Sequence, residues 1–551
     1  MHWEVTMSRK TSFLRAGLTS AAGLVGIGVS GAVVLGLCLI PFPVLAGTPL
    51  GLTVSPTAAM ATRVCPGPLL SVQTRDGDAT SFVAFESPAT VFAGGAEPVA
   101  EFPLAVSGDT QGDGLAPLAV TVPPPADGSP ALLAGAQSQS VQHEDMSGLA
   151  ASACLEPEAE SWLVGGATDL GQTTLIRLAN ASATDASVHI EVFGEHGRLT
   201  PTGSNDVVVA AGSEQVLTLA ALAPDLAMPV VHVTSSGGSI AATLQQTLVR
   251  TIVPSGVEVI EPGAGTNTTQ IITGVRLVDM ARFSDSEGGA VTSDEEPAVR
   301  VLATTPEPSD VVITTVALDG SSTQVKTTVQ PGTVLQLPFN TVPDGIYTVI
   351  VTGTTPVVAA VRSLVLDGVN PARTDPATAT SAPTATPGTT PTATPIAPAV
   401  GVPMDGVPLD GVPLDGAAGT PGGAGAPPVG ATADLVPLQT GGDFAWYPAT
   451  AALGASALVA VASAPIAEFT VYNALETAKS VVLTSPGQPN IELSVPAGGA
   501  ASAEVTPGVV YRLDGDAGLR ATLTYSGSGL SSASSVRPPS RLGSTILVYP
   551  R

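Results

Sequence analysis

Short apolar runs alternate with polar residues along most of this chain. In "SVHIEV" (Ser187–Val192), Val188, Ile190 and Val192 fall on one side, and His189 and Glu191 on the other. A period of two marks a β-strand with one buried and one wet face. "DVVITTV" (Asp310–Val316) and "KSVVLT" (Lys479–Thr484) follow the same rule. Turns rich in Gly, Pro and Asp punctuate these runs. No segment after residue 62 shows the 3.6-residue period of an amphipathic helix. The pattern predicts antiparallel sheets.

The strands recur as internal repeats. A shift of 123 places Ile176, Arg177 and Leu178 on Val299, Arg300 and Val301, Val188 and Ile190 on Val311 and Ile313, and Gly197 on Gly320. A shift of 293 places Asn180 on Asn473, Val188 on Val481, Ile190 on Leu483 and Gly194 on Gly487. Downstream, Gly212, Gly332 and Gly498 each hold a turn between two strands. "SWLVGG", "QIITGV" and "FAWYPA" read as strands that open the three copies. Short strands at regular spacing predict an all-β chain of tandem immunoglobulin-like β-sandwich modules after one N-terminal transmembrane helix. The copies cover 161–250, 268–368 and 443–527, and a tail at 528–551 has room for one more strand. Residues 63–154 form an N-terminal β region, read either as a divergent sandwich or as a donor of strands to the first copy. Residues 371–432, rich in Pro, Thr and Gly and containing the thrice-repeated pentad of "GVPMDGVPLDGVPLDG", cannot supply a core and read as a disordered linker.

At the N-terminus, Arg9, Lys10 and Arg15 precede an apolar run, Ala16–Ile40. Basic residues before such a run keep residues 1–15 in the cytoplasm. The run exceeds the ~20 residues that span a bilayer, which favours a signal anchor over 16–46. Small residues before Ala46 and Ala61 keep cleavage and secretion open as the alternative. Either way the bulk of the chain lies outside the cytoplasm.

Charge narrows the partners. With 46 acidic and 20 basic residues the net charge is −26, so the basic footprint of a nucleic-acid binder is missing. Of three cysteines, Cys38 lies in the apolar run without a lipobox, because Leu37 precedes it. Cys65 and Cys154 are predicted to pair in an oxidising compartment.

Candidate chemistry is sparse. His189, Glu191, Glu195 and His196 have the ligand types of a zinc site. The repeats replace them with Val312, Thr314, Leu318 and Asp319, so the strand's wet face is the expected reading. His143 and His232 stand apart from them. "DTQGDG" and "DGDAG" lack the closing glutamate of a calcium loop and read as turns. Asp405, Asp410 and Asp415 read as solvated spacer, and the acidic run Ser284–Glu296 as a solvated loop. Trp162, Trp446, Tyr447 and Tyr472 read as core anchors, with sugar stacking as the alternative. No local motif for nucleophilic, phosphate or metalloprotease chemistry is present. No cofactor is predicted.

The run "SACLEPEAESWLVGGATDLGQTTLIRLANASATDASVHIEVFGEHG", with "VVAAGSEQVLTLAALAP" after it, resembles the actinobacterial domain-of-unknown-function family 5719. Its members look like exported or membrane-anchored proteins, and the resemblance carries over no catalytic residue. The expectation is a non-enzymatic protein of the cell envelope, membrane-anchored, that binds or spaces envelope proteins or glycans. The alternatives are a carbohydrate-binding accessory of envelope polysaccharide assembly and an envelope hydrolase.

Overall fold

A computed structural model describes residues 52–54, 59–75, 78–95, 98–106, 110–111, 116–127, 129–250, 252–283, 296–339, 341–366, 441–539 and 546–548. Contacts divide the chain into two units. In the smaller, Leu52–Val54 pairs antiparallel with Ile546–Val548. The larger, Thr57–Ser544, holds everything discussed below. The chain is nearly all β, and the α-helix Leu219–Leu222 is a single turn. Among the described residues no helix is long and apolar enough to cross a membrane. The apolar run Ala16–Ile40, Cys38 and the segment 371–432 lie outside the described residues.

Three modules share one strand order. In the first, Glu160–Val164 pairs with Val230–Ser236, which pairs with Ala186–Gly194. A second sheet runs from Ser213–Thr218 through Gln172–Asn180 and Ala241–Arg250 to Val253–Ile260. The third module repeats this: Ser456–Ala460, Val510–Gly515 and Lys479–Thr484 in one sheet, then Ala500–Val505, Ile466–Asn473, Leu519–Gly527 and Leu530–Ser535 in the other. In the second module the sixth and seventh strands fuse into one 22-residue strand, Gly345–Leu366. Its first half pairs with Asn267–Leu277 and Ser309–Ala317, its second half with Ala298–Ala303.

Local chemistry explains the shared order. Val188, Ile190 and Val192 are buried in the first core, Val311 and Ile313 in the second, Val481 and Leu483 in the third. Gly212, Gly332 and Gly498 all take a left-handed backbone, with φ of 65°, 64° and 62°, which a side chain would strain. Asn180 and Asn473 tie the same turn: the amide of Asn180 donates to Thr184 and Val209 carbonyls, that of Asn473 to Thr477 and Val495. Gly487, aligned in sequence with Gly194, instead holds the hairpin turn that Gly197 and Gly320 hold in the other copies, all with positive φ.

Every copy also has an eighth strand that the repeat comparison leaves out. Val253–Ile260 closes the first module, beyond residue 250. Leu530–Ser535, expected as tail, closes the third. The stretch "FAWYPA", expected to open the third copy, belongs to Gly442–Pro448 and pairs with Ala360–Leu366 of the second module. The strand that opens the third copy is Ser456–Ala460. The reason is burial on both faces. All seven residues of Gly442–Pro448 are buried, so no alternation advertises the strand. Leu366 and Gly442 are direct partners, so the strands they end and begin form one hairpin. The residues between them therefore do not separate the second module from the third.

Residues 59–155 form a fourth unit, ending in the hairpin Leu133–His143 and Met146–Ala153. It also lends Ala105–Val106 to the first module as a short parallel partner of Ser213–Glu214. Cys65 and Cys154 are bonded within it.

The four units close into a ring. Each module lays its second sheet on the unit before it, the first and second modules through the same position. Arg177 donates to the Pro68 carbonyl of the N-terminal unit, and Arg300 to Gly166 and Pro229 of the first module. The third module sets Thr524 on the Gly274 carbonyl of the second. Closure comes from the N-terminal unit, whose Ala136, Leu149 and Ala151 enter the third module's core, and whose Ser138 hydroxyl donates to the Ser463 carbonyl.

Candidate functional site: the ring axis and its mouth

The last hairpin of each unit puts one strand at the centre. These axial strands are Met146–Ala153, Val253–Ile260, Gly442–Pro448 and Leu530–Ser535. Each is the edge of its own sheet, paired on one side only, and so carries a row of unsatisfied N–H groups. Buried without partners, such donors are costly, roughly 1–3 kcal/mol each. Carboxylates on the axis meet them.

Asp443 meets one donor from every axial strand. Its Oδ2 accepts from Leu149 N at 2.8 Å and Ser531 N at 3.1 Å; its Oδ1 accepts from Val257 N at 3.2 Å and Phe444 N at 3.0 Å. Two glycines make room. A Cβ on Gly148 would sit 2.6 Å from Asp443 Oδ1, and one on Gly256 2.5 Å from the Phe444 ring. Further along, Ser532 Oγ accepts from Ala151 N and lies 2.8 Å from Glu258 Oε1. At the far end, Glu261 accepts from Ala153 N at 2.6 Å, Ser535 N at 3.1 Å and Arg537 at 2.9 Å. Leu149, Ala151 and Ala153 are alternate residues of one strand, and all three point their N–H groups inward.

Burial pushes the carboxyls of Asp443 and Glu258 well above the usual carboxylate range. They are not equivalent. Each oxygen of Asp443 already faces two N–H donors, which stabilise the ionised form and leave no acceptor for an acid proton. Glu258 Oε2 is buried with no partner among the described residues.

The Glu261 end opens into a cleft of about 470 Å³. Arg63, Arg537, Glu156, Glu158 and Glu160 line it. Arg63 is buried, ion-paired to Glu156 at 3.3 Å and donating to the Pro538 carbonyl at 2.9 Å. Pro157, Pro262, Pro538 and Pro539 add apolar wall.

The residues singled out in sequence lie elsewhere. His189 and Glu191 are on the outer face of the first module's sheet, 3.8 Å apart. Glu191 is ion-paired to Arg198 and accepts from His232 Nδ1 at 2.7 Å. His232 Nε2 reaches Glu160 at 3.0 Å, and Trp162 stacks on the imidazole at 3.9 Å. Both ring nitrogens of His232 therefore face carboxylates. Burial works to raise the Glu191 carboxyl, but the His232 hydrogen bond and the Arg198 charge outweigh it, so Glu191 titrates below the usual range. His196 stays exposed, and among the described residues no three His, Cys, Asp or Glu groups are placed to hold a metal. Trp446, Tyr447 and Tyr472 are buried, Trp446 beneath the Arg300 guanidinium at 4.7 Å. Sequence spacing missed His232 and Glu160, which adjoin Glu191 only through strand pairing. It also missed Asp443, Glu258 and Glu261, whose partners include Leu149, Ser532 and Ala153, each more than a hundred residues away.

A family model described as a family of unknown function, DUF5719, matches residues 106–401, more than half of the chain. The chain belongs to that family. No curated protein and no solved structure matches it. In this DUF5719 protein the match takes in the first module, with Glu258 and Glu261. It ends before Asp443, inside the segment flanked by Leu366 and Gly442.

Proposed function

We propose that this protein is a non-enzymatic binding scaffold of the cell envelope, built of tandem immunoglobulin-like β-sandwich modules and held outside the cytoplasm by the apolar segment 16–46. The observation that carries the reading is the use made of the buried acids. Asp443 and Glu261 spend their oxygens on backbone N–H groups and Arg537, and so hold the ring together rather than face a substrate. The bonded Cys65–Cys154 pair fits an oxidising compartment. The partners are envelope proteins or glycans, met at the cleft. Its walls of Pro, Gly, Glu and Arg favour a peptide over a sugar, because Trp446, Tyr447 and Tyr472 are buried and one face of Trp162 is covered by His232.

The test is cross-linking of the full chain in intact cells, alongside binding of the purified protein to cell-wall glycans. Recovery of an envelope protein, lost when Glu158→Lys and Glu160→Lys reverse the cleft charge, supports the reading. Glycan binding with no protein partner favours the carbohydrate-accessory alternative. Hydrolysis of envelope polysaccharide, or a cytoplasmic location of residue 63 onward by protease protection, overturns it.

A further inference from the structure

We propose that the axial column is a pH-sensitive lock: Glu258 holds a proton when the ring is closed, and losing that proton in alkali loosens the four axial strands from one another. The geometry assigns the proton to Glu258. Its side chain is wholly buried. Oε1 meets the Ser532 hydroxyl at 2.8 Å and Val259 N at 2.9 Å, whereas Oε2 has no partner among the described residues. An ionised carboxylate there would leave a charged oxygen dry and unpaired, which is far costlier than a neutral acid group.

The surrounding charges point the same way. From the third axial strand comes Asp443, whose two oxygens accept from four N–H donors. From the end of the second strand comes Glu261. Arg537, beyond the fourth strand, is engaged by Glu261 and the Pro262 carbonyl. The first axial strand, "MSGLAASA", contributes no titratable group. A charge on Glu258 would thus face the carboxyls of Asp443 and Glu261 with no counter-charge of its own.

Burial, then, keeps Glu258 protonated well above its ordinary value of 4.5, and Asp443 and Glu261 add to the effect. A group whose folded-state affinity for the proton is raised contributes its full stability below that ordinary value. The contribution falls as pH climbs toward the folded-state value. Opening the axis then releases one proton, so the opening constant rises by up to about tenfold per pH unit.

Amide hydrogen exchange of the full chain over about pH 5 to 9 tests this, each rate being divided by the intrinsic rate at that pH. The reporters are the N–H groups of Leu149, Ala151, Ala153, Ser531 and Ser535. The wild type is expected to lose protection there as pH rises, while Glu258→Gln, which keeps an acceptor for Ser532 and Val259, stays flat. Equal pH dependence in both proteins overturns the proposal. If the Gln variant does not fold, infrared spectroscopy of the wild type decides. A protonated-carboxyl band present at neutral pH and lost in step with protection supports the lock, and absence of the band at neutral pH overturns it.

Discussion

Two clusters of acids in this protein look alike in composition and differ in what they do. On the axis, Asp443, Glu258 and Glu261 meet mainly backbone N–H groups. On the outer face of the first module, Glu160 and Glu191 meet the side chains of His232, Arg198 and Trp162. Side-chain partners can rotate away into water when an acid is removed. Backbone donors on buried edge strands cannot, because the hairpins that carry them are fixed by their own sheets. The axial acids therefore set the assembly of four units, and the surface acids set little more than the local strand pairing.

The largest contrast should come from Asp443→Ala. It strands donors on all four axial strands at once, at an expected loss of about 4 kcal/mol or more in chemical denaturation. A loss under about 1 kcal/mol would mean that the strands hold together without it. Next is the covalent tie beside the axis. Cys65→Ser with Cys154→Ser frees the strand that supplies Leu149, Ala151 and Ala153, and should cost about 2–5 kcal/mol. An unchanged midpoint would show that the noncovalent contacts suffice.

A change of the opposite sign tests the hairpin geometry. Leu366 and Gly442 are paired, and the corresponding pairs His143–Met146, Arg250–Val253 and Gly527–Leu530 each enclose only two residues. Replacing residues 367–441 with Asn-Gly should leave the ring intact and raise stability, by up to about 3 kcal/mol from loop closure alone. Separation of the second and third modules in small-angle scattering would contradict the pairing. Smallest is Glu191→Gln, expected to cost about 1 kcal/mol or less near neutral pH. Because Glu191 titrates low, its contribution is present above the ordinary glutamate value and is lost as pH falls through the folded-state value. A loss as large as that of Asp443→Ala would erase the distinction between the two clusters.

Much of the module was legible in the chain. The alternation at Val188, Ile190 and Val192 identified a half-buried strand because a pleated strand sends successive side chains to opposite faces. Gly212, Gly332 and Gly498 marked equivalent turns because only glycine takes a left-handed backbone without strain. The eighth strands were illegible for the converse reason. Buried on both faces at the axis, Gly442–Pro448 and Leu530–Ser535 show no alternation, and the partner of Gly442 stands 76 residues earlier at Leu366.

The sequence by itself determined the all-β character and the alternation of half-buried strands such as Ala186–Gly194, since these depend on neighbours a few residues apart. Only the tertiary structure decided that the copies close into a ring, that Leu366 and Gly442 pair in one hairpin, and that Asp443, Glu258 and Glu261 are the acids that matter. Ring closure depends on which strand edges are left unpaired after each sheet has formed. The donors at residues 149, 257, 444 and 531 become neighbours only when four separate edges converge on one carboxylate.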